Sequence, residues 1–173
     1  TARVPRVTTT HTAVPLVLTI KDGVDYHAGN RARLNILLRS LDRFAAPGEF
    51  QDILVLTPDD ELAGLTEHLR CSPTAAGRRA QAAGDDSILP GISAHPAHPW
   101  FKQQALKLAA HARWPGRFYM TMDADIFATK PFSMSDFIVQ GRALLDTETR
   151  EHQWRWWQAA ASILDMDTAL IPP

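Results

Sequence analysis

Asp123 and Asp125 stand one residue apart, directly after the run Phe118-Tyr119-Met120-Thr121-Met122. Strand residues at i and i+2 share a face, so both carboxylates can serve one hard cation, directly or through water. Mg²⁺ or Mn²⁺ held by one or two carboxylates completes its shell with substrate phosphates. The aromatic and apolar run reads as a short buried strand, which puts the pair at a carboxyl end, where open α/β sheets take ligands. The plain alternative is a solvated turn, since Asp is common in turns. The surrounding elements decide between the two.

Those elements alternate. Val14 to Ile20 is a continuous apolar run, the signature of a central strand. The polar turn Lys21-Asp22-Gly23-Val24-Asp25 follows. Leu34, Leu37, Leu38 and Leu41 repeat at helical spacing between Asn30 and Phe44. Phe50 to Thr57 is a second strand. Pro58-Asp59-Asp60-Glu61 has the form of a helix start, with Thr57 as cap, and that helix runs to about Arg70. Strand–helix–strand–helix predicts a parallel sheet with crossover helices, a unit that carries nucleotides. Neither G-x-G-x-x-G nor G-x-x-x-x-G-K-[ST] occurs, so a phosphate needs another holder, and a metal is the obvious one.

Residues 71–98 are less regular, with a short strand expected at Ile88 to Ile92. His95 and His98 are separated by prolines that forbid a regular helix, and they read as a stiffened loop near the site rather than as a metal pair. Trp100 to Arg113 reads as a helix. Phe101, Ala105, Leu108, Ala109 and Ala112 form its expected buried face. Trp100, Gln103, Gln104, Lys107 and His111 gather on another side, as hydrogen-bonding and stacking equipment or as a plain exposed face. An exit strand from Ile126 and a turn at Pro131 follow the Asp pair. Met134 to Val139 reads as a short helix or strand, and Arg142 to Asp146 as a strand ending in Asp146-Thr147-Glu148. Trp154 to Met166 is an amphipathic helix. Its Trp154, Trp156 and Trp157 either pack under the sheet or offer an aromatic platform to sugar rings, with Trp157 on the packing side.

The chain has 173 residues, is 45% hydrophobic and carries net charge −1. That composition excludes a disordered chain and gives no basic block for nucleic acid. It fits a loose, flexible arm over 1–13 and a single α/β domain over 14–173. A lone Cys71 excludes an internal disulfide framework and agrees with a reducing compartment, here expected to be the cytoplasm. No apolar run approaches the ~18 residues of a membrane span. The ends at Thr1 and Pro173 read as processing or fragment boundaries.

The stretch Trp100-Phe101-Lys102-Gln103-Gln104-Ala105-Leu106-Lys107-Leu108, then Phe118 to Asp125, then Lys130-Pro131-Phe132, resembles GT-A-type glycosyltransferases. It is most similar to a poorly characterised bacterial glycosyltransferase-like family with a W-[YF]-x-Q-Q-x-x-K-L helix before its D-A-D. Glycogenin and related retaining galactosyltransferases share the layout more distantly. The Trp154 to Ala160 helix also resembles the bacterial family. The resemblance implies a Rossmann-like nucleotide-diphospho-sugar transferase fold, with a mostly parallel sheet flanked by helices and shortened at its C-terminus. It implies transfer of a sugar from a UDP- or GDP-sugar to an unknown acceptor. Asp123 and Asp125 would hold Mn²⁺ or Mg²⁺ against the diphosphate, and Lys107 would meet the diphosphate or a sugar hydroxyl. Gln103 and Gln104 would orient the sugar. Thr19, Lys21 and Asp22 would meet base and ribose. Asp146, Glu148 and Trp156 are acceptor-side candidates. The members of this fold class usually continue further, and the continuation supplies another metal ligand and, in inverting enzymes, the general base.

Two other classes compete. A haloacid-dehalogenase-type phosphatase also uses D-x-D after an apolar strand, but its motif opens the domain and is followed by Thr or Val where Phe127 stands here. A non-catalytic nucleotide- or sugar-binding module, derived from a transferase, is the main alternative. A sugar nucleotidyltransferase would want a basic glycine-rich first loop, for which Lys21-Asp22-Gly23 is too poor.

Overall fold

Three apolar runs and one small-residue segment pair into a four-stranded parallel sheet of order β3-β2-β1-β4. The computed structural model describes residues 13–21, 29–114, 116–145, 154–163 and 165. The strands are β1 (Val14–Thr19), β2 (Phe50–Thr57), β3 (Gln81–Gly84) and β4 (Met120–Asp123). Helices α1 (Asn30–Phe44), α2 (Leu62–Arg70), α3 (Ala75–Arg79) and α4 (Pro99–Ala109) make the connections. The predicted α/β class with a parallel sheet flanked by helices is what the chain adopts.

All six residues of β1 are buried, because β1 has a strand on both sides and helices on both faces. Alternation sends Val17 and Thr19 to one face and Leu16 and Leu18 to the other. Val17, Leu54, Leu56, Ile92, Leu106 and Ala110 form one core cluster beneath α4. In α1 the leucine spacing does what it predicts, and Leu34, Leu37, Leu38 and Leu41 are all buried.

Several expectations are corrected. β4 is an edge strand with Thr121 and Asp123 exposed, not a buried strand starting at Phe118. Its bulky run suits a half-covered edge as well as a buried centre. No strand forms at Ile88 to Ile92, which is turn, while Gln81-Ala82-Ala83-Gly84 pairs with β2 despite its weak strand composition. The exit from the Asp pair forms no strand over 126–131 and is held by a bridge between Ala45 and Phe132 and by Ala128 N–H on Ser40 Oγ at 2.9 Å. A 3-10 turn at Asp59–Glu61 precedes α2. Thr57 does not cap it: the hydroxyl donates to Glu61 Oε2 at 3.4 Å. In α4 the buried residues are Leu106 and Lys107, and Ala110 follows them just beyond its end, while Phe101 and Leu108 are 57% and 70% exposed. The apolar count misplaced that face because a paired lysine sits inside it.

A second compact unit starts at Phe137. It holds a small hairpin of β5 (Ile138–Val139) and β6 (Arg142–Ala143), shorter than the strand expected to reach Asp146, and helix α5 (Trp154–Ile163). No helix among the described residues is long and apolar enough to cross a membrane.

α3 stays short and tightly seated. Thr74 Oγ1 accepts the Gly77 N–H at 3.0 Å, and the Asp42 carboxylate accepts Ala75 and Ala76 N–H at 2.7 and 2.8 Å. A Cβ on Gly77 would lie 2.0 Å from Ser72 Oγ and 2.7 Å from Thr74 Oγ1. Gly77→Ala therefore destabilises by about 1–3 kcal/mol, overriding the ~1 kcal/mol that helix propensity favours. Thermal unfolding checks this, and an unchanged or raised midpoint contradicts it.

Candidate active-site cleft

Register places the functional row. Thr19 pairs with Leu56 on one side and Asp123 on the other, so the three side chains lie in line on the α4 face at the carboxyl ends of their strands. β1 connects by α1 to β2 on one flank, and the chain returns through α4 to β4 on the other. The gap between β1 and β4 is thus the topological switch point, where open α/β sheets leave a crevice for ligands.

A cavity of about 430 Å³ opens there, lined by Thr19, Lys21, Gln103, Asp123 and Asp125 among the residues singled out from sequence. A second, of about 470 Å³, lies toward β2 and β3 and shares Thr19, Ile20, Lys21, Pro99 and Gln103 with the first. The two are chambers of one cleft, and both are in the size range of small-ligand sites.

The first chamber brings together opposite charges. Asp123 and Asp125 come from the end of β4 and its turn, while Lys21 and Arg33 enter from the end of β1 and from α1. Asn30 Nδ2 donates to the Lys21 carbonyl at 2.5 Å, which ties the start of α1 to the end of β1. Helices α1 and α4 both begin at this chamber, with Asn30 and Pro99 in its wall. α1 has no acidic residue in its first turn, so its N-terminal dipole is left for an anion. His98 Nδ1 accepts the Trp100 N–H at 3.2 Å. The neutral ring therefore carries its proton on Nε2, and His98 enters the chamber wall as a hydrogen-bond donor. His95 makes the same bond to Ala97 N–H at 3.1 Å. Both rings thus finish backbone turns, as a stiffened loop requires.

Lys107 is 9% exposed and donates to Asp123 Oδ1. It approaches from α4, above the strand row, and anchors the first carboxylate. Its backbone carbonyl accepts the Tyr119 hydroxyl at 2.9 Å, so Lys107 ties α4 to both the entry and the end of β4. Gln103 lines both chambers and Gln104, one residue on, lines neither. Asp22, Asp146 and Glu148 lie outside the described residues, as does the side chain of Trp156.

Two carboxylates facing one chamber are a hard-oxygen donor set, suited to Mg²⁺ or Mn²⁺ when phosphate and water complete the shell. Lys107 takes one oxygen of Asp123 and leaves the other. No group of three or more His, Cys, Asp or Glu side chains gathers for a metal among the described residues. Two carboxylates supply only part of a cation's shell, so phosphate and water oxygens would have to complete it.

The second chamber was not legible in the sequence. Asp59, Asp60, Asp85 and Asp86 line it with Lys102 and Ser93. The acids follow β2 and β3 directly, and recognising β3 would have placed all four at carboxyl strand ends. Burial, and then the neighbouring carboxylates Asp59, Asp86 and Glu61, push Asp85 up to about 6 against the pull of Lys102.

The fold is a parallel α/β sheet flanked by helices, and a solved glycosyltransferase structure is similar to it. That structure is the apo crystal structure of mouse xyloside xylosyltransferase 1, with a TM-score of 0.50 and 13% identity over 87% of this chain. The chain spans 59% of the length of that one. By sequence, residues 11–171 match the family of unknown function DUF6492, and the chain belongs to that family. No curated protein matches it.

Proposed function

We propose that the cleft binds a nucleotide-diphospho-sugar and transfers its sugar to an acceptor. One observation carries this reading: Asp123 and Asp125 share a chamber with Lys21, Arg33 and two helix N-termini, at the switch point of a parallel sheet. A diphosphate answers both halves of that chamber, since its oxygens suit the cationic side and bring ligands to a cation on the carboxylate side. Bound Mn²⁺ or Mg²⁺ supplies Lewis-acid stabilisation of charge on the departing nucleoside diphosphate. The chain's own part is positioning. Lys107 fixes the Asp123 carboxylate. Lys21 and Arg33 neutralise phosphate oxygens, and the Nε2–H of His98 orients them. Gln103, at the junction of the chambers, is placed to bond a sugar or ribose hydroxyl. The second chamber takes the nucleoside, with Thr19 between base and phosphates. Asp22, Asp146, Glu148 and Trp156 remain candidates for the donor and acceptor sides.

Titration calorimetry of UDP and GDP, with and without Mn²⁺, tests the reading. Binding that needs the metal is expected. Tight binding without metal favours a non-catalytic nucleotide-binding module. Phosphatase turnover with no nucleotide binding defeats the transferase assignment.

A further inference from the structure

We propose that the second chamber reads guanine, with Lys102 and Asp85 facing its Watson–Crick edge, so that the donor is a GDP-sugar. The inference rests on the transferase reading, which puts a nucleoside in this chamber.

Two groups in the chamber wall lack what buried polar groups normally have. Thr19 is only 6% exposed, and its Oγ1 has no hydrogen-bond partner among the described residues. Asp85 Oδ1 is likewise buried and unpartnered. Such orphans are uncommon in folded proteins, and a ligand that completes them is a direct explanation. The neighbouring acids already have tasks. Asp59 Oδ2 accepts the Asp86 N–H at 3.0 Å, and Asp86 Oδ1 accepts the Ser93 N–H at 3.0 Å. Asp59 Oδ1 also lies where a Cβ on Gly84 would be, 2.2 Å away, so glycine at the end of β3 lets that carboxylate fold in. Asp60 is exposed, so Asp85 is the acid of this wall with a buried oxygen left for a ligand.

Lys102 supplies the complement. Its Nζ donates to the Ser93 carbonyl at 2.8 Å, which uses one of three protons. It lines the same chamber and is felt at Asp85 as a favourable charge. An ammonium next to an ionised carboxylate presents donor, acceptor, acceptor. Guanine presents the reverse: the O6 acceptor, then the N1–H and N2–H donors. Uracil offers acceptor, donor, acceptor, which sets a carbonyl against a carboxylate oxygen. Cytosine and adenine set a ring nitrogen acceptor there. Discrimination comes from that repulsion as much as from the bonds.

The acidity of Asp85 adds a pH signature. The groups acting on it are Asp59 and Glu61 from the turn before α2, Asp86 beside it, and Lys102 from α4. A ligand donating two N–H groups selects the ionised carboxyl. Affinity therefore weakens as pH falls through about 6 and is flat above it.

Asp85→Asn gives the test, using the full chain with saturating Mn²⁺ and calorimetric titration of GDP, UDP and xanthosine diphosphate. The amide offers one acceptor and one donor, matching the N1–H and O2 of xanthine. Wild type is expected to prefer GDP over UDP by about 10- to 100-fold. The variant should lose GDP affinity by a similar factor and gain xanthosine diphosphate. Its melting temperature at pH 7.5 should not fall, because the substitution removes a half-buried charge. Equal binding of GDP and UDP, weakened alike by Asp85→Asn, would put Asp85 on the ribose and overturn the guanine assignment while leaving the transferase reading intact. No nucleoside diphosphate binding to the folded wild type overturns both.

Discussion

Asp125→Ala is expected to abolish metal-dependent nucleotide binding, and Asp123→Asn to weaken it nearly as far. Losses of about 10²- to 10³-fold in turnover are the scale for removing one group that stabilises developing charge. Asp125 is exposed, and surface substitutions usually stay within about 0.5 kcal/mol, so Asp125→Ala should leave the fold unchanged. Asp123→Asn removes the charge that pairs the buried Lys107 ammonium and should lower the melting temperature as well. Each variant is measured twice, by Mn²⁺-dependent GDP and UDP titration and by thermal unfolding. Binding lost with an unchanged melting temperature is the expected pair of results for Asp125→Ala. An Asp125→Ala protein that still needs Mn²⁺ to bind nucleotide would return Asp123-Ala124-Asp125 to an ordinary turn.

Lys107→Met should separate the two ligands. In the wild type the ammonium holds Asp123 Oδ1 and offsets part of the charge that would attract a cation. On the proposed function, metal alone should therefore bind weakly, with the diphosphate restoring the negative charge. Removing the ammonium should tighten Mn²⁺ binding in the absence of nucleotide by about tenfold. It should weaken nucleotide binding by a similar factor. Tenfold is ~1.4 kcal/mol, modest against the ~4 kcal/mol between unit charges 4 Å apart near a protein surface. Stability should hold. Breaking a buried ion pair is costly when it strands a buried charge, but here Asp123 remains in water and methionine fills the space of the lysine stem. Mn²⁺ titration by electron paramagnetic resonance reads the first effect and calorimetry the second. If both ligands weaken together, Lys107 contacts the donor directly and does not tune the carboxylate.

The frame of the protein was legible because long apolar runs have one sensible place. Val14 to Ile20 and Phe50 to Thr57 could only be central strands, and the α1 leucines could only face them. The D-A-D pair was legible because it ends such a frame. The α4 face was not. Lys107 looks like a solvated residue on a helical wheel, and nothing in the period of α4 reveals that a carboxylate waits beneath it. β3 was missed for a related reason. Gln-Ala-Ala-Gly has little strand preference of its own, and backbone pairing with β2 decides its state.

The amino-acid sequence by itself determined the parallel α/β class, the order of its main elements and the carboxylate pair at a strand end. Those follow from periodicity and burial, which act along the chain. Only the tertiary structure decided that Asp123 lies beside Thr19 and under Lys107, and that Asp59, Asp85 and Lys102 meet in a second chamber. These contacts depend on strand register and helix placement, which bring together residues 16 to 104 positions apart. A carboxylate's role depends on what stands within a few ångströms of it, and sequence spacing does not record that distance.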